Sequence, residues 1–184
     1  MQITETKIPD VLLIQPKKFS DARGFFLESY NADRYAQSGI ATPFVQDNFS
    51  HSTRDVLRGL HCQLEHTQGK LVYVTRGAVF DVAIDIRMGS PTFGQSVTAI
   101  LDDQMNQQIY IPPGFAHGFC VLTDEVDFIY KCTDYYHPTS EIGVLWNDPD
   151  LNIPWPVNQP IIATRDQNFP KLKDIASNKL PVYK

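Results

Sequence analysis

Three stretches of this chain and one isolated lysine carry side chains that can move a proton or hold an anion. In Arg58-Gly59-Leu60-His61-Cys62-Gln63, strand alternation would place Leu57, Gly59, His61 and Gln63 on one face. That face sets a histidine and an amide beside a glycine, which leaves room for a ligand. A lone histidine is more often a satisfied core or surface residue. Lys70, nine residues on, is by itself an ordinary solvated lysine. In Ile111-Pro112-Pro113-Gly114-Phe115-Ala116-His117-Gly118-Phe119, Pro112 and Gly114 shape a turn and His117 enters the following strand. In Phe128-Ile129-Tyr130-Lys131-Cys132, alternation turns Phe128, Tyr130 and Cys132 to the interior. Tyr130 is then either a core aromatic with a bonded hydroxyl, the commoner case, or a proton donor.

The elements that must hold these residues read as short strands broken by Gly and Pro. Residues 80–86 alternate, with Phe80, Val82, Ile84 and Ile86 on one face and Asp81 and Asp85 on the other. Gly77 precedes that run and Gly89-Ser90-Pro91 follows it, supplying turns. Further strands are expected at 56–63, 71–75, 94–101, 108–111, 119–122 and 126–133. A short helix fits 31–38, with Asn31 as its cap and Gly39 as its stop, and a second fits 168–177. The last third is rich in proline and suggests extended loops laid over sheets. Many short strands with Gly and Pro turns favour an all-β, double-sheet jelly roll with a few short peripheral helices, built as one domain over 1–184.

Composition narrows the function. The net charge of −5 argues against a nucleic-acid partner bound through a broad basic surface. A small anionic ligand would need a local set of Arg and Lys instead. The apolar runs are too short to cross a bilayer, and the N-terminus lacks the pattern of a signal peptide, so a cytoplasmic location away from membranes is expected. Three widely spaced cysteines, Cys62, Cys120 and Cys132, suit buried thiols better than disulfides or a zinc site.

The segment 112–117 has the PxGxxH form and resembles the second motif of cupin-type jelly rolls, whose histidine usually binds a metal. The first cupin motif pairs two histidines one residue apart, whereas here His61 is followed two positions on by Gln63. His66 has the opposite parity to His61 in a regular strand. With three or four ligands normally needed, no metal is expected at this site.

Taken together, DVLRGLH, QGKLVYVTRGAVFDVAIDIR, GSPTFG, IPPGFAHGF, YKCTDYYHP and WNDPDLNIPWP closely resemble the deoxythymidine-diphosphate-4-dehydrorhamnose 3,5-epimerase family, from about residue 21 to 166. The resemblance implies a cofactor-free, metal-free, dimeric jelly roll that epimerises C3 and C5 of a dTDP-4-keto-6-deoxy sugar in dTDP-rhamnose biosynthesis. It assigns His61 as base, Asp166 as the carboxylate that orients it, Lys70 as the cation facing the enolate oxygen, and Tyr130 as proton donor. A base must be neutral, and an unperturbed imidazole with pKa about 6.5 is largely so at neutral pH. Around Asp166 the chain departs from many relatives, carrying Ala163-Thr164-Arg165 where they have Leu-Ser-x-Lys.

The same resemblance assigns Arg23, Glu28, Gln46, Asp47, Asn48, Arg58, His117, Glu141 and Arg165 to substrate binding, and Tyr136 to stacking on thymine. Arginines suit a diphosphate because a guanidinium donates two parallel hydrogen bonds. It also sets the N-terminal segment with Arg23 and Glu28 against a partner subunit, with the site shared across a homodimer. Alternation alone puts Arg58 and His61 on opposite faces, so both reach one site only through a bend or bulge at Gly59. Two other classes compete with the isomerase. A metal-dependent cupin would carry a stoichiometric divalent ion, and a non-catalytic sugar-nucleotide binder would bind without proton exchange.

Overall fold

The computed structural model describes residues 1–183, and most of its regular structure is strand. In chain order these are β1 (Gln2–Glu5), β2 (Leu12–Gln15), β3 (Lys18–Asp21), β4 (Gly24–Leu27), β5 (Gln46–Thr53), β6 (Val56–Gln63), β7 (Lys70–Arg76), β8 (Ala78–Asp85), β9 (Ser96–Asp102), β10 (Gln108–Ile111), β11 (Phe115–Val121), β12 (Glu125–Cys132), β13 (Glu141–Gly143) and β14 (Ile161–Ile162). Two short helices accompany them, α1 (Ala32–Gln37) and α2 (Thr164–Gln167).

One six-stranded sheet runs β1-β2-β10-β7-β12-β5. The other runs β13-β6-β11-β8-β9, with β14 pairing in parallel on β6. This is the expected double-sheet jelly roll. The hairpin β3–β4 stands apart from both sheets.

Apolar side chains from both sheets meet between them: Val72, Ile109, Val126 and Phe128 from the first, Val79, Ala83, Leu101 and Phe119 from the second. Phe119 and Phe128 stack with ring centroids 3.9 Å apart, joining β11 to β12 across the sandwich. Each buried Val, Ile, Leu or Phe among them stabilises the fold by about 1.5–3 kcal/mol relative to exposure.

The alternation at 80–86 is real, but both faces of β8 are covered. Val82, Ile84 and Ile86 pack in a second cluster with Val144, Leu172 and Leu180, beneath the proline-rich C-terminal segment. The other face carries Asp81 and Asp85 into the protein, each 0% exposed. Asp85 is neutralised there by Arg87 and by hydroxyls of Ser90 and Thr92.

Helix α1 forms where expected. Asn31 accepts the Arg34 N–H at 3.1 Å, and Gly39 at φ +93° follows the last turn. The helix expected at 168–177 is absent. In its place lie single 3-10 turns at Leu172–Asp174 and Ser177–Lys179, the first fixed by Asp148, which accepts the Leu172 N–H at 2.8 Å. The true helix of this region, α2, comes earlier and carries Asp166.

Candidate active site

The site is built around an irregularity in β6. Its pairing with β11 opposes His61 to His117 and Arg58 to Phe119, so three steps on β6 match two on β11. The extra residue is a β-bulge, and it inverts the parity of everything beyond it. Arg58 and His61, opposed in a regular strand, therefore line the same pocket of about 390 Å³. The bulge is possible because of two glycines. Gly59 has φ +115°, and a Cβ on it would lie 2.6 Å from Gly118 Cα and 2.7 Å from the His117 carbonyl oxygen. A Cβ on Gly118 would lie 2.6 Å from the Arg58 carbonyl oxygen.

The expectation that Gln63 shares the ligand face of His61 is also corrected, because loop backbone groups capture its amide. Its side chain leaves the pocket, is 4% exposed, and spends its amide on backbone groups of His66, Tyr135 and His137.

Helix α2 delivers a carboxylate to the bulge. Asp166 is 2% exposed; it accepts the Gly59 N–H at 3.1 Å and faces His61 Nε2 at 2.9 Å. Burial opposes its ionisation, but these bonds from His61 and Gly59, with Arg165 beside them, hold its pKa below the ordinary carboxylate range. An ionised Asp166 takes the Nε2 proton of His61 as its hydrogen-bond donor, which leaves Nδ1 as the basic nitrogen. Arg165 Nη2 lies 3.3 Å from the same Nε2, but both atoms then carry hydrogen, so this is an approach of two donors and not a hydrogen bond. Arg165 is paired instead with Glu141 at 2.7 Å, and Glu141 accepts the Tyr136 hydroxyl at 3.0 Å.

Lys70, at the start of β7, and Tyr130, on β12, line the same pocket as His61. The lysine ammonium stands 5.9 Å from the centre of the Tyr130 ring. Burial pushes the Tyr130 hydroxyl up to about 12, so it stays protonated at neutral pH. His117 also lines the pocket and donates from Nε2 to Asp81 at 2.9 Å. Its burial in the sandwich lowers its pKa against the pull of Asp81, while Asp81 Oδ1 is buried with no partner among the described residues.

Gln46, Asn48, Arg58, Tyr136, Glu141 and Arg165 complete the lining anticipated from sequence. Asp47 does not join them. It sits between Gln46 and Asn48 on β5, so alternation turns its side chain to the outer face, where it pairs with Lys131 at 2.8 Å. Arg23 and Glu28 are also elsewhere within the single chain. Arg23 binds Asp21 at the tip of the β3–β4 hairpin, and Glu28 pairs with Arg34 at 2.7 Å.

Sequence reasoning missed four polar groups. Ser50 and Gln68 line the pocket, and the Ser50 hydroxyl is buried with no partner among the described residues. Ser52 accepts two bonds from Arg58 at 3.1 Å, and Asp81 anchors His117. The even positions of β5, Gln46 to Ser52, would have disclosed the two serines, but the inward face of that strand is polar and gives no hydrophobic period.

A pocket that sets a carboxylate-oriented imidazole, an ammonium and a phenol around one space is suited to carbon-acid isomerisation on a jelly roll. A family model described as dTDP-4-dehydrorhamnose 3,5-epimerase matches residues 5–174. A dTDP-4-dehydrorhamnose 3,5-epimerase of Shigella flexneri is 51% identical over 176 residues, covering 95% of this chain and 97% of the relative. The crystal structure of a dTDP-6-deoxy-D-glucose-3,5-epimerase from Legionella pneumophila, in complex with dTDP-4-keto-L-rhamnose, superposes with a TM-score of 0.97 at 52% identity, covering 100% of this chain and 98% of that one. A dTDP-4-dehydrorhamnose 3-epimerase of Streptomyces niveus is 39% identical, covering 100% of this chain and 90% of the relative. This chain belongs to the dTDP-4-dehydrorhamnose 3,5-epimerase family.

Proposed function

We propose that this protein inverts C3 and C5 of dTDP-4-dehydro-6-deoxy-D-glucose, giving dTDP-4-dehydro-L-rhamnose for dTDP-rhamnose biosynthesis, by proton transfer next to the C4 ketone. The observation that carries the reading is the placement of His61, Lys70 and Tyr130 around one pocket, with Asp166 behind the histidine. His61 Nδ1 removes the proton from the carbon beside the ketone. The electron pair left behind moves into the carbonyl, forming an enolate whose oxygen faces the Lys70 ammonium. Tyr130 gives a proton to the opposite face of that carbon, and the ketone reforms with the centre inverted. No oxidation occurs, and proton count is restored once the imidazolium and phenolate exchange with solvent. Arg58 and Arg165 suit the diphosphate, and Tyr136 the thymine face.

The chain works in this reading as one jelly-roll domain, in the cytoplasm, as a homodimer. Among the described residues, no helix is long and apolar enough to cross a membrane. The dimer rests on the β3–β4 hairpin, where Phe19, Phe25 and Phe26 are 52%, 54% and 68% exposed around Arg23. A partner covering these rings would bring Arg23 to a neighbouring site.

Proton NMR in D2O with the keto sugar nucleotide tests the chemistry. The expected result is deuterium at C3 and C5 and the L-sugar as product. Tyr130→Phe is expected to keep exchange while losing inversion. Nucleotide binding without any exchange by the unsubstituted protein would reduce it to a binding module, and inversion at one carbon would make it a mono-epimerase.

A further inference from the structure

Outside the pocket, two loops bring His66, Asp134 and His137 together, with one donor atom from each residue within 4.8 Å of the others. We propose that these three side chains form a site for a borderline divalent transition-metal ion such as Zn2+ or Ni2+, clipping the loop after β6 to the loop after β12.

Two imidazoles and one carboxylate are the ligand set such ions prefer, with a solvent molecule completing a tetrahedron. Bonds of about 2.0–2.1 Å in that geometry put ligand atoms roughly 3.4 Å apart. His66 Nδ1 and Asp134 Oδ2 are already 3.4 Å apart. The rings of His66 and His137 lie face to face, with centroids 3.8 Å apart and planes 15° from parallel. Parallel rings cannot aim both lone pairs at one ion, so binding turns one ring out of the stack. The His66 side chain, 49% exposed, is free to make that turn.

The backbone beneath is held in place. The buried Gln63 amide donates to the carbonyls of His66 at 2.7 Å and Tyr135 at 3.1 Å, and its oxygen accepts the His137 N–H at 2.7 Å. Gln68 donates to the Asp134 carbonyl at 2.9 Å. Asp134 commits Oδ1 to the Tyr135 N–H at 2.8 Å, which keeps Oδ2 turned to His66. One buried glutamine thus fixes the backbones of both histidines relative to each other, so binding has only the side chains left to order.

Calorimetric titration of tag-free, chelator-stripped protein with Zn2+ and with Mg2+ tests the site. One equivalent of Zn2+ should bind, Mg2+ should not, and His66→Asn or His137→Gln should each weaken Zn2+ by about tenfold or more. Asparagine tolerates the left-handed φ of +56° at position 66, so that variant should fold. Asp134→Asn provides a second, near-isosteric variant with the same expected loss. Thermal melting of each metal-free variant should match the parent, with Zn2+ raising only the parent's midpoint substantially. Absence of Zn2+ binding, equal binding of Mg2+, or undiminished Zn2+ binding by the His66→Asn/His137→Gln double variant would overturn the proposal.

Discussion

At the scale of single residues, the reading turns on which nitrogen of His61 is left free, and Asp166 decides that. A carboxylate that accepts from Nε2 fixes the tautomer and would stabilise the imidazolium formed in the proposed proton abstraction. Asp166→Asn keeps the shape but can present its amide N–H to Nε2, which favours the wrong tautomer. Turnover is expected to fall by about 100- to 10,000-fold, the usual contribution of a general base, with dTDP binding changed little. Steady-state kinetics with calorimetric dTDP binding checks the split. Asp166 also links stability to pH. Its folded pKa lies below the unfolded value, so its stabilising contribution is present above the ordinary carboxylate range and disappears as pH falls through the folded pKa. Denaturation midpoints of the Asn variant should accordingly depend less on pH in the acid range than those of the parent. Equal slopes would mean that Asp166 titrates normally in the folded protein.

At the scale of elements, one bulge makes the site. Gly59→Ala would drive a Cβ into the Gly118 backbone and leave alanine at φ +115°, two faults at one position. A loss of about 3 kcal/mol or more is expected, with turnover falling further than stability alone explains, because Arg58, His61 and His117 all hang on this register. Urea denaturation beside kcat measures both. Gly118→Ala attacks the bulge from the other strand and should behave alike; a fully active, stable variant of either would show that the strands can pair without it.

The same bulge marks where the sequence stopped being legible. Strands β6 and β10 were readable to the residue, because their ends coincide with turn residues and their length with the apolar pattern. Alternation failed at Gly59, since period two cannot announce an inserted residue, and only the resemblance demanded that Arg58 and His61 converge. Strand β5 escaped notice for a related reason: Gln46, Asn48 and Ser50 line the pocket and Ser52 holds Arg58, so its inward face is polar where a core strand would be apolar. The pairing of Asp81 with His117 joins positions 36 residues apart, a distance no local pattern bridges.

At the scale of the whole molecule, the hairpin β3–β4 is the part the single chain does not explain. A two-stranded hairpin alone is marginal in water. This one exposes three phenylalanines while pairing with neither sheet, although Lys18 covers Phe25 at 3.9 Å. An isologous dimer would bury those rings and seat each Arg23 beside the other subunit's pocket. Mixing subunits tests the sharing directly. Take His61→Asn and Arg23→Ala proteins, each poorly active at low substrate concentration. In a heterodimer with shared sites, one site inherits both faults and the other inherits none. Random reassortment makes about half the dimers mixed, so about a quarter of the parent's activity should return after unfolding and refolding the two together. If each chain instead completes its own site, mixing restores nothing, and Arg23 acts on the pocket of its own subunit or not at all. Sedimentation of Phe25→Ser/Phe26→Ser separates the two questions: a monomer places the aromatic rings at the interface, and an intact dimer moves that interface elsewhere.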